Sequence, residues 1–392
     1  MAAFRVARVF GIDLRLDASL AVVFLLVSVN LALGLFPAWH PDWGPGLRWG
    51  LSVVAAVAFL GSILVHELAH AVVAVALGGK VRDVTLFLFG GVARIEREPG
   101  SPGAEFLMAV AGPAMSFVLG ISLSLVAAAL AGPAPVDRDP SRLLASLAPV
   151  ATLLAWLGPV NLFVGAFNLL PGFPLDGGRV LRALLWKISG NVHAATRLAS
   201  GVGQALGWGM VATGLLMAFG VPVPLLGTGM VGGLWLGFLG WFLTRAARAT
   251  YGEVLVEQLL ENVPVVQLMT RDVDSVDPDT TIAALIDRHL TRVDQQVFPV
   301  VAGEHLLGFV SVADVHRVAR SAWSDTPTRA IMQPLSPDLV AGPSDDAAEA
   351  WRTMARRNVT EVAVVERDTL LGLIRQRDML RWLSIFREQL PA

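Results

Sequence analysis

The sequence predicts a polytopic α-helical membrane domain, six transmembrane helices with a short membrane-associated β-hairpin, followed by a soluble α/β domain made of two copies of one unit. Three observations predict it. Of 392 residues, 54% are hydrophobic and only 16% charged, with a mean hydropathy of +0.61; a soluble domain carries about 25% charged residues. Long apolar runs continue to about residue 247, and after Tyr251 charged residues recur every few positions. Finally, residues 298–319 align without gaps on 362–383, an offset of 64. The net charge of −2 gives no footing for nucleic acid. The absence of cysteine excludes disulfides, iron–sulfur clusters and thiolate zinc sites, leaving His, Asp and Glu as metal ligands.

A bilayer-crossing helix needs about 20 mostly apolar residues. Six segments qualify, roughly 17–36, 49–78, 105–131, 145–170, 198–219 and 226–244. The first has too little positive n-region and no A-x-A cleavage signal, so it reads as an anchor. Six spans put both termini on one side. With that side cytoplasmic, the inner segments hold Arg5, Arg8, Arg15, Lys80, Arg82, Arg94, Arg97, Arg179, Arg182, Lys187, Arg197, Arg245 and Arg248, against Arg48, Arg138 and Arg142 outside. The positive-inside rule therefore predicts cytoplasmic termini and a cytoplasmic soluble domain in a multi-pass protein.

The second span contains GSILVHELAHAVVAVALGGK, in which Glu67 is the only formally charged side chain between Arg48 and Lys80. A charge near the bilayer centre costs about 2.5–3.5 kcal/mol even on lenient insertion scales, so something must compensate it. Residues i and i+4 share a helix face, so His66 and His70 can present two imidazoles to one ion. Glu67 is offset by one residue, where it can act as general base. That is the H-E-x-x-H arrangement of a zinc hydrolase: the metal supplies an activated water and the glutamate takes its proton. A proton-relay site in a transporter is the competing reading. His70 lies eight residues before Gly78, about 12 Å from the cytoplasmic edge of the span.

Catalytic zinc usually takes three protein ligands. The best third ligand is Asp176, in NLFVGAFNLLPGFPLDGGRVL, where Pro171, Pro174 and Gly177–Gly178 break the helix at the cytoplasmic end of the fourth span. Such irregular backbone is tolerated at membrane depth only when buried in protein or lining a wet cavity. Asn168, eight residues earlier, could hydrogen-bond the substrate carbonyl or the oxyanion, or make an interhelical hydrogen bond.

HELAH in one span and N-x-x-P-x-x-P-L-D-G-G at the end of another resemble the site-2 protease family of intramembrane zinc metalloproteases. GGVARIE (90–96) and AEFLMAVAGPAMS (104–116) also resemble that family's loop and following helix. The resemblance implies Zn2+ bound by His66, His70 and Asp176, Glu67 as catalytic base, and transmembrane segments of other membrane proteins as substrates.

VTLFLFGGVARIE reads as two short strands around Gly90–Gly91. Its edge could hold an unwound substrate by strand addition, or the hairpin could simply plug the cavity. Gly112, Ser116 and Gly120 form a small-xxx-small stripe, read as helix packing rather than catalysis.

Each copy of the C-terminal repeat reads strand, turn, strand, helix, preceded by a helix (around 280–290 or 345–357) and a short motif, QLMT (267–270) or AIMQ (330–333). The pair resembles CBS domains, which commonly bind adenine nucleotides (AMP, ADP or ATP). The family's pattern G-h-x-S/T-x-x-D is intact in the first copy as Gly308, Ser311 and Asp314. The resemblance implies that Asp314 accepts the ribose hydroxyls and that Ser311 lies near the phosphate. In the second copy Gly372 and Asp378 remain, but Arg375 replaces the hydroxyl residue and could grip a phosphate or fill the pocket. A pair that binds nothing and only forms a homodimer is the bland alternative.

The expected organisation is a membrane domain, 1–250, and a CBS pair, 262–386, with repeats at about 262–320 and 326–386. The expected function is intramembrane zinc proteolysis regulated by adenine nucleotide. A CBS-gated transporter or channel and a catalytically inactive scaffold are the alternatives. A transporter has no need of paired histidines beside the glutamate plus a proline-broken aspartate loop. An inactive relative is expected to lose one of His66, Glu67, His70 or Asp176, and all four are present.

Overall fold

The computed structural model describes residues 3–386 apart from 10, 88–89, 96–99, 132–143, 225–226, 291–294, 296, 304, 337–338, 358 and 368. Of the charges used to predict orientation, Arg97, Arg138 and Arg142 lie outside these residues, as does Glu96 of the 90–96 stretch. The chain divides into two units, Met1–Gly252 and Glu253–Ala392.

Among the described residues six helices are long and apolar enough to cross a bilayer: α1 (Leu20–Trp39), α2 (Pro45–Ala76), α3 (Pro102–Ala131), α4 (Pro149–Asn168), α6 (Val192–Ala218) and α7 (Met230–Leu260); α5 (Asp176–Ser189) is a shorter amphipathic helix between α4 and α6. Several helices extend beyond their apolar runs. Helix α2 starts at Pro45, a residue suited to the first turn because its missing N–H would have had no partner there. The helices approach through small residues, as expected where lipid gives no hydrophobic drive between them. A Cβ at Gly214 would lie 2.4 Å from the Gly233 carbonyl oxygen, and one at Gly158 would lie 2.3 Å from Ser124 Oγ.

The expected hairpin is present as β3 (Val81–Phe87) and β4 (Gly90–Ile95), but it is half of a larger sheet. Strands β1 (Ala3–Val9) and β2 (Ile12–Asp17) precede α1, and the sheet order is β1-β2-β3-β4. The outer pairs are antiparallel hairpins, while β2 and β3 run parallel, with Leu14 opposite Val84 and Leu16 opposite Leu86. Buried Ile12, Leu14 and Val84 pack on Ala71 of α2, beside Leu64 and Leu68. The sheet therefore rests on the turns of α2 that carry HELAH.

The second unit contains the predicted repeat. Strands β5 (Val297–Ala302) and β6 (His305–Ser311) form the first copy, with β7 (Gln333–Pro334) on β6. Strand β8 (Val340–Ala341), α8 (Ala347–Arg357), β9 (Glu361–Glu366), β10 (Thr369–Arg375) and α9 (Gln376–Phe386) form the second. The sheet order is β5-β6-β10-β9-β8. Each copy has its own apolar core, around Ile282, Phe298 and Val310 in the first and around Met354, Ile374 and Met379 in the second. The introductory motifs are exchanged. Val265 and Leu268 join the second core and Thr270 pairs with Leu373 of β10, whereas Gln333 pairs with Phe309 of β6.

Candidate active site

Helix α2 places His66 and His70 one turn apart on a buried face. The His70 Nδ1 lies 2.6 Å from the carbonyl oxygen of Met108. A carbonyl can only accept, so Nδ1 carries the proton and Nε2 of the neutral ring keeps its lone pair. The His66 Nδ1 lies 2.9 Å from Ser116 Oγ. Both rings are thus held by their far nitrogens, and the two Nε2 atoms meet 3.3 Å apart.

Asp176 arrives from a separate element. After α4 ends, residues 169–175 turn back, and Phe173 N–H donates to Ala199 O of α6 at 3.4 Å. A Cβ at Gly177 would lie 2.3 Å from the carbonyl oxygens of Leu169 and Leu170, and one at Gly178 would lie 2.3 Å from the Phe173 nitrogen. Only glycine lets the loop fold so closely over the first turn of α5. Asp176, the first residue of that helix, then points its Oδ2 at both Nε2 atoms, at 3.2 Å each. Among the described residues this is the only group of three His, Asp or Glu side chains able to hold a metal ion.

The donor set fits zinc. Three ligands on tetrahedral arms of about 2.0–2.1 Å stand about 3.3–3.4 Å from one another, and the separations here are 3.2, 3.2 and 3.3 Å. Room for an ion depends on Gly112 of α3. A Cβ there would come within 2.2 Å of His70 Nε2 and 2.6 Å of His66 Nε2. The small-residue stripe therefore divides. Gly120 packs against Leu162 and Gly158 of α4, as the packing reading expects, but Gly112 and Ser116 face the histidines. Helix–helix packing and support of a metal centre both select small side chains, so the sequence alone does not separate them.

Glu67 is met by the hairpin. The Gly91 N–H donates to Glu67 Oε1 at 3.2 Å, and a Cβ at Gly91 would lie 2.3 Å from Glu67 Cγ. This amide supplies part of the compensation that an intramembrane carboxylate requires. Asn168, in the last turn of α4, donates from Nδ2 to Val164 O at 3.0 Å, a bond within its own helix. His40 is spent structurally, stacked on Trp43 with ring centroids 3.8 Å apart and bonded to Thr152 Oγ1 at 2.8 Å.

In the second unit Ser311 and Asp314 form a capping box on the short helix Val312–Val315. Asp314 Oδ2 accepts from Ser311 N–H and Oγ–H at 3.0 and 2.5 Å, while Oδ1 accepts from Gln333 at 3.0 Å and Arg317 at 3.3 Å. Burial pushes the Asp314 carboxyl up, but the bonds from Ser311 and Gln333 and the Arg317 charge outweigh it and hold it below the usual carboxylate range. Asp378 accepts at Oδ2 from Thr270 Oγ1 (2.9 Å) and Arg375 Nε (2.5 Å). The two copies place their aspartates alike, but the arginine on Asp314 is the exposed Arg317, three residues after it, whereas that on Asp378 is the largely buried Arg375, three residues before it.

A six-span membrane domain in which the buried face of one helix and a broken-helix aspartate bring two imidazoles and a carboxylate to one point has the site of a metal-dependent hydrolase. The profile of peptidase family M50 matches residues 54–138 and 130–210, and that of the CBS domain matches 265–321 and 329–385. Rip3 of Mycobacterium tuberculosis, which bears the name of a zinc metalloprotease, is 34% identical over 99% of this chain and 95% of its own. Zinc metalloprotease MJ0392 of Methanocaldococcus jannaschii is 28% identical over 97% and 96%. The solved Site-2 Protease from that archaeon is 27% identical, covering 64% of this chain and 95% of its own with a TM-score of 0.41. The chain belongs to peptidase family M50 and is a zinc metalloprotease carrying a pair of CBS domains.

Proposed function

We propose that the protein hydrolyses peptide bonds in or near transmembrane segments of other membrane proteins, with His66, His70 and Asp176 as zinc ligands and Glu67 as the general base. The observation that carries this reading is the convergence of three ligand atoms on α2 and α5, next to a carboxylate, among helices long and apolar enough to cross a bilayer. A zinc ion held there would supply Lewis acidity and an activated water. The chain's own groups do the rest. Glu67 accepts a proton from the attacking water at a carboxylate oxygen and passes it to the leaving amide nitrogen. The Met108 carbonyl and Ser116 hydroxyl keep the imidazoles oriented. Asn168, freed from Val164, would steady the substrate carbonyl.

A peptide bond inside a helix is not open to attack, so the substrate segment must unwind. Among the described residues strand β4 pairs only with β3, and its Gly91 lies on Glu67. An extended substrate added to that edge would run past the general base. We place the enzyme in a plasma membrane with both termini cytoplasmic, a membrane domain at 1–250 and a cytoplasmic CBS pair at 262–386. That pair would bind adenine nucleotide at Ser311 and Asp314 and adjust proteolysis. The test is cleavage of a single-span protein in liposomes by the wild type and by Glu67→Gln. Cleavage by the wild type alone supports the reading, and equal cleavage by both removes Glu67 as base.

A further inference from the structure

Asp176 has to be held in register with two histidines on a different helix. The Asp176 helix, α5, is short, amphipathic and begins at the ligand itself. Six residues on, about 9 Å along its axis, Arg182 donates from Nε to Glu105 Oε1 at 2.5 Å, and its terminal nitrogen contacts the same oxygen. Glu105 is fully buried at 1% exposure and Arg182 nearly so. The guanidinium also lies over the ring of Phe173, 5.4 Å from its centroid, within the loop that delivers Asp176. One contact set therefore grips both sides of the ligand, the loop before it and the helix after it.

Glu105 stands in the first turn of α3, and α3 holds the rest of the centre as well. Glu105, Met108, Gly112 and Ser116 are spaced by three, four and four residues, so they form one stripe on one helix face. Down that stripe α3 grips the aspartate helix, the His70 ring, the space for the ion and the His66 ring. We infer that Glu105 and Arg182 are positioning residues that fix Asp176 at the metal site, with α3 as the common reference for all three ligands. A buried ion pair is a weak source of stability compared with an apolar pair of the same size, whereas two nitrogens converging on one oxygen fix direction and register. The inference rests on the assignment of His66, His70 and Asp176 as ligands.

The test uses the full chain in detergent, stripped by chelator and titrated with Co2+, whose visible spectrum reports ligand number and geometry. The double variant Glu105→Gln/Arg182→Met removes the pair without leaving an orphan charge. It is expected to weaken Co2+ binding about 10- to 100-fold and to change the spectrum, with the melting temperature close to that of the wild type. Arg182→Lys keeps the charge but loses the planar fork, and is expected to change the spectrum too if the double variant does not fold. Unchanged Co2+ affinity and spectrum in either folded variant, even with a lowered melting temperature, would overturn the inference and leave the pair a packing element. Co2+ binding that survives His66→Ala and Asp176→Ala would instead overturn the ligand assignment itself, and the inference with it.

Discussion

The hydroxyl of Ser116 lies 2.9 Å from Nδ1 of His66, across two helices whose contact looks in the sequence like ordinary small-residue packing. That bond orients one imidazole and leaves its other nitrogen facing His70 and Asp176. Partners of this kind are worth about 10- to 100-fold in metal affinity. Ser116→Ala is therefore expected to weaken zinc binding by that factor with the helical content unchanged, as read by competition with a chelating dye. Unaltered affinity would mean that the hydroxyl only fills space.

At Gly112 the helix and the site pull in opposite directions. In an open helix a glycine-to-alanine change stabilises by about 1 kcal/mol. Here the added methyl would stand 2.2 Å from His70 Nε2. Gly112→Ala should fold and yet lose zinc, measured as metal content beside a circular dichroism spectrum. Full metal content would show that α3 can move away at little cost.

Glu67 touches the Gly91 amide rather than the ligand cluster. Glu67→Gln should accordingly retain zinc and lose about 10²- to 10⁴-fold in cleavage rate, the usual share of a general base. Loss of zinc in this variant would instead make Glu67 part of the metal site.

Arg375 and Thr270 occupy the Asp378 carboxylate, whereas Asp314 is engaged by Ser311, Gln333 and the exposed Arg317, with no arginine at the position of Ser311. Calorimetric titration with AMP should give about one site per chain, lost in Asp314→Ala and raised toward two in Arg375→Ser. A stoichiometry indifferent to both changes would place the nucleotide elsewhere or nowhere.

The chain contains no cysteine, so single-cysteine variants report topology without background. A cysteine at Ser321 in the second unit should resist a membrane-impermeant maleimide in intact cells and react after lysis. Labelling of intact cells would invert the orientation.

Much of this was legible in the sequence because it depends on local spacing. Two histidines at i, i+4 share a helix face wherever the helix sits, and the prolines and paired glycines around Asp176 mark a break whatever packs against it. The gapless repeat at an offset of 64 declared the CBS pair in the same way. The rest depends on partners far apart in the chain. FRVARVFGIDLRLD alternates apolar and charged residues about Gly11, a hairpin signal that reading it only for positive charge passes over. Nothing local says that β2 then pairs in parallel with β3, beyond two intervening helices. Glu105 and Arg182 are 77 residues apart, and each alone reads as a charge at a membrane edge. Ser116 and Gly112 were visible as small residues but not as neighbours of His66 and His70, because small side chains serve close packing and a crowded metal centre alike.

The central claim is that α2 and α5 build one zinc site from His66, His70 and Asp176. It is tested most directly by the metal content of the full-length protein purified in detergent, wild type beside His66→Ala and Asp176→Ala. The account predicts about one zinc per wild-type chain and loss of zinc in both variants. A wild-type protein without zinc, or zinc retained in either variant, would contradict it.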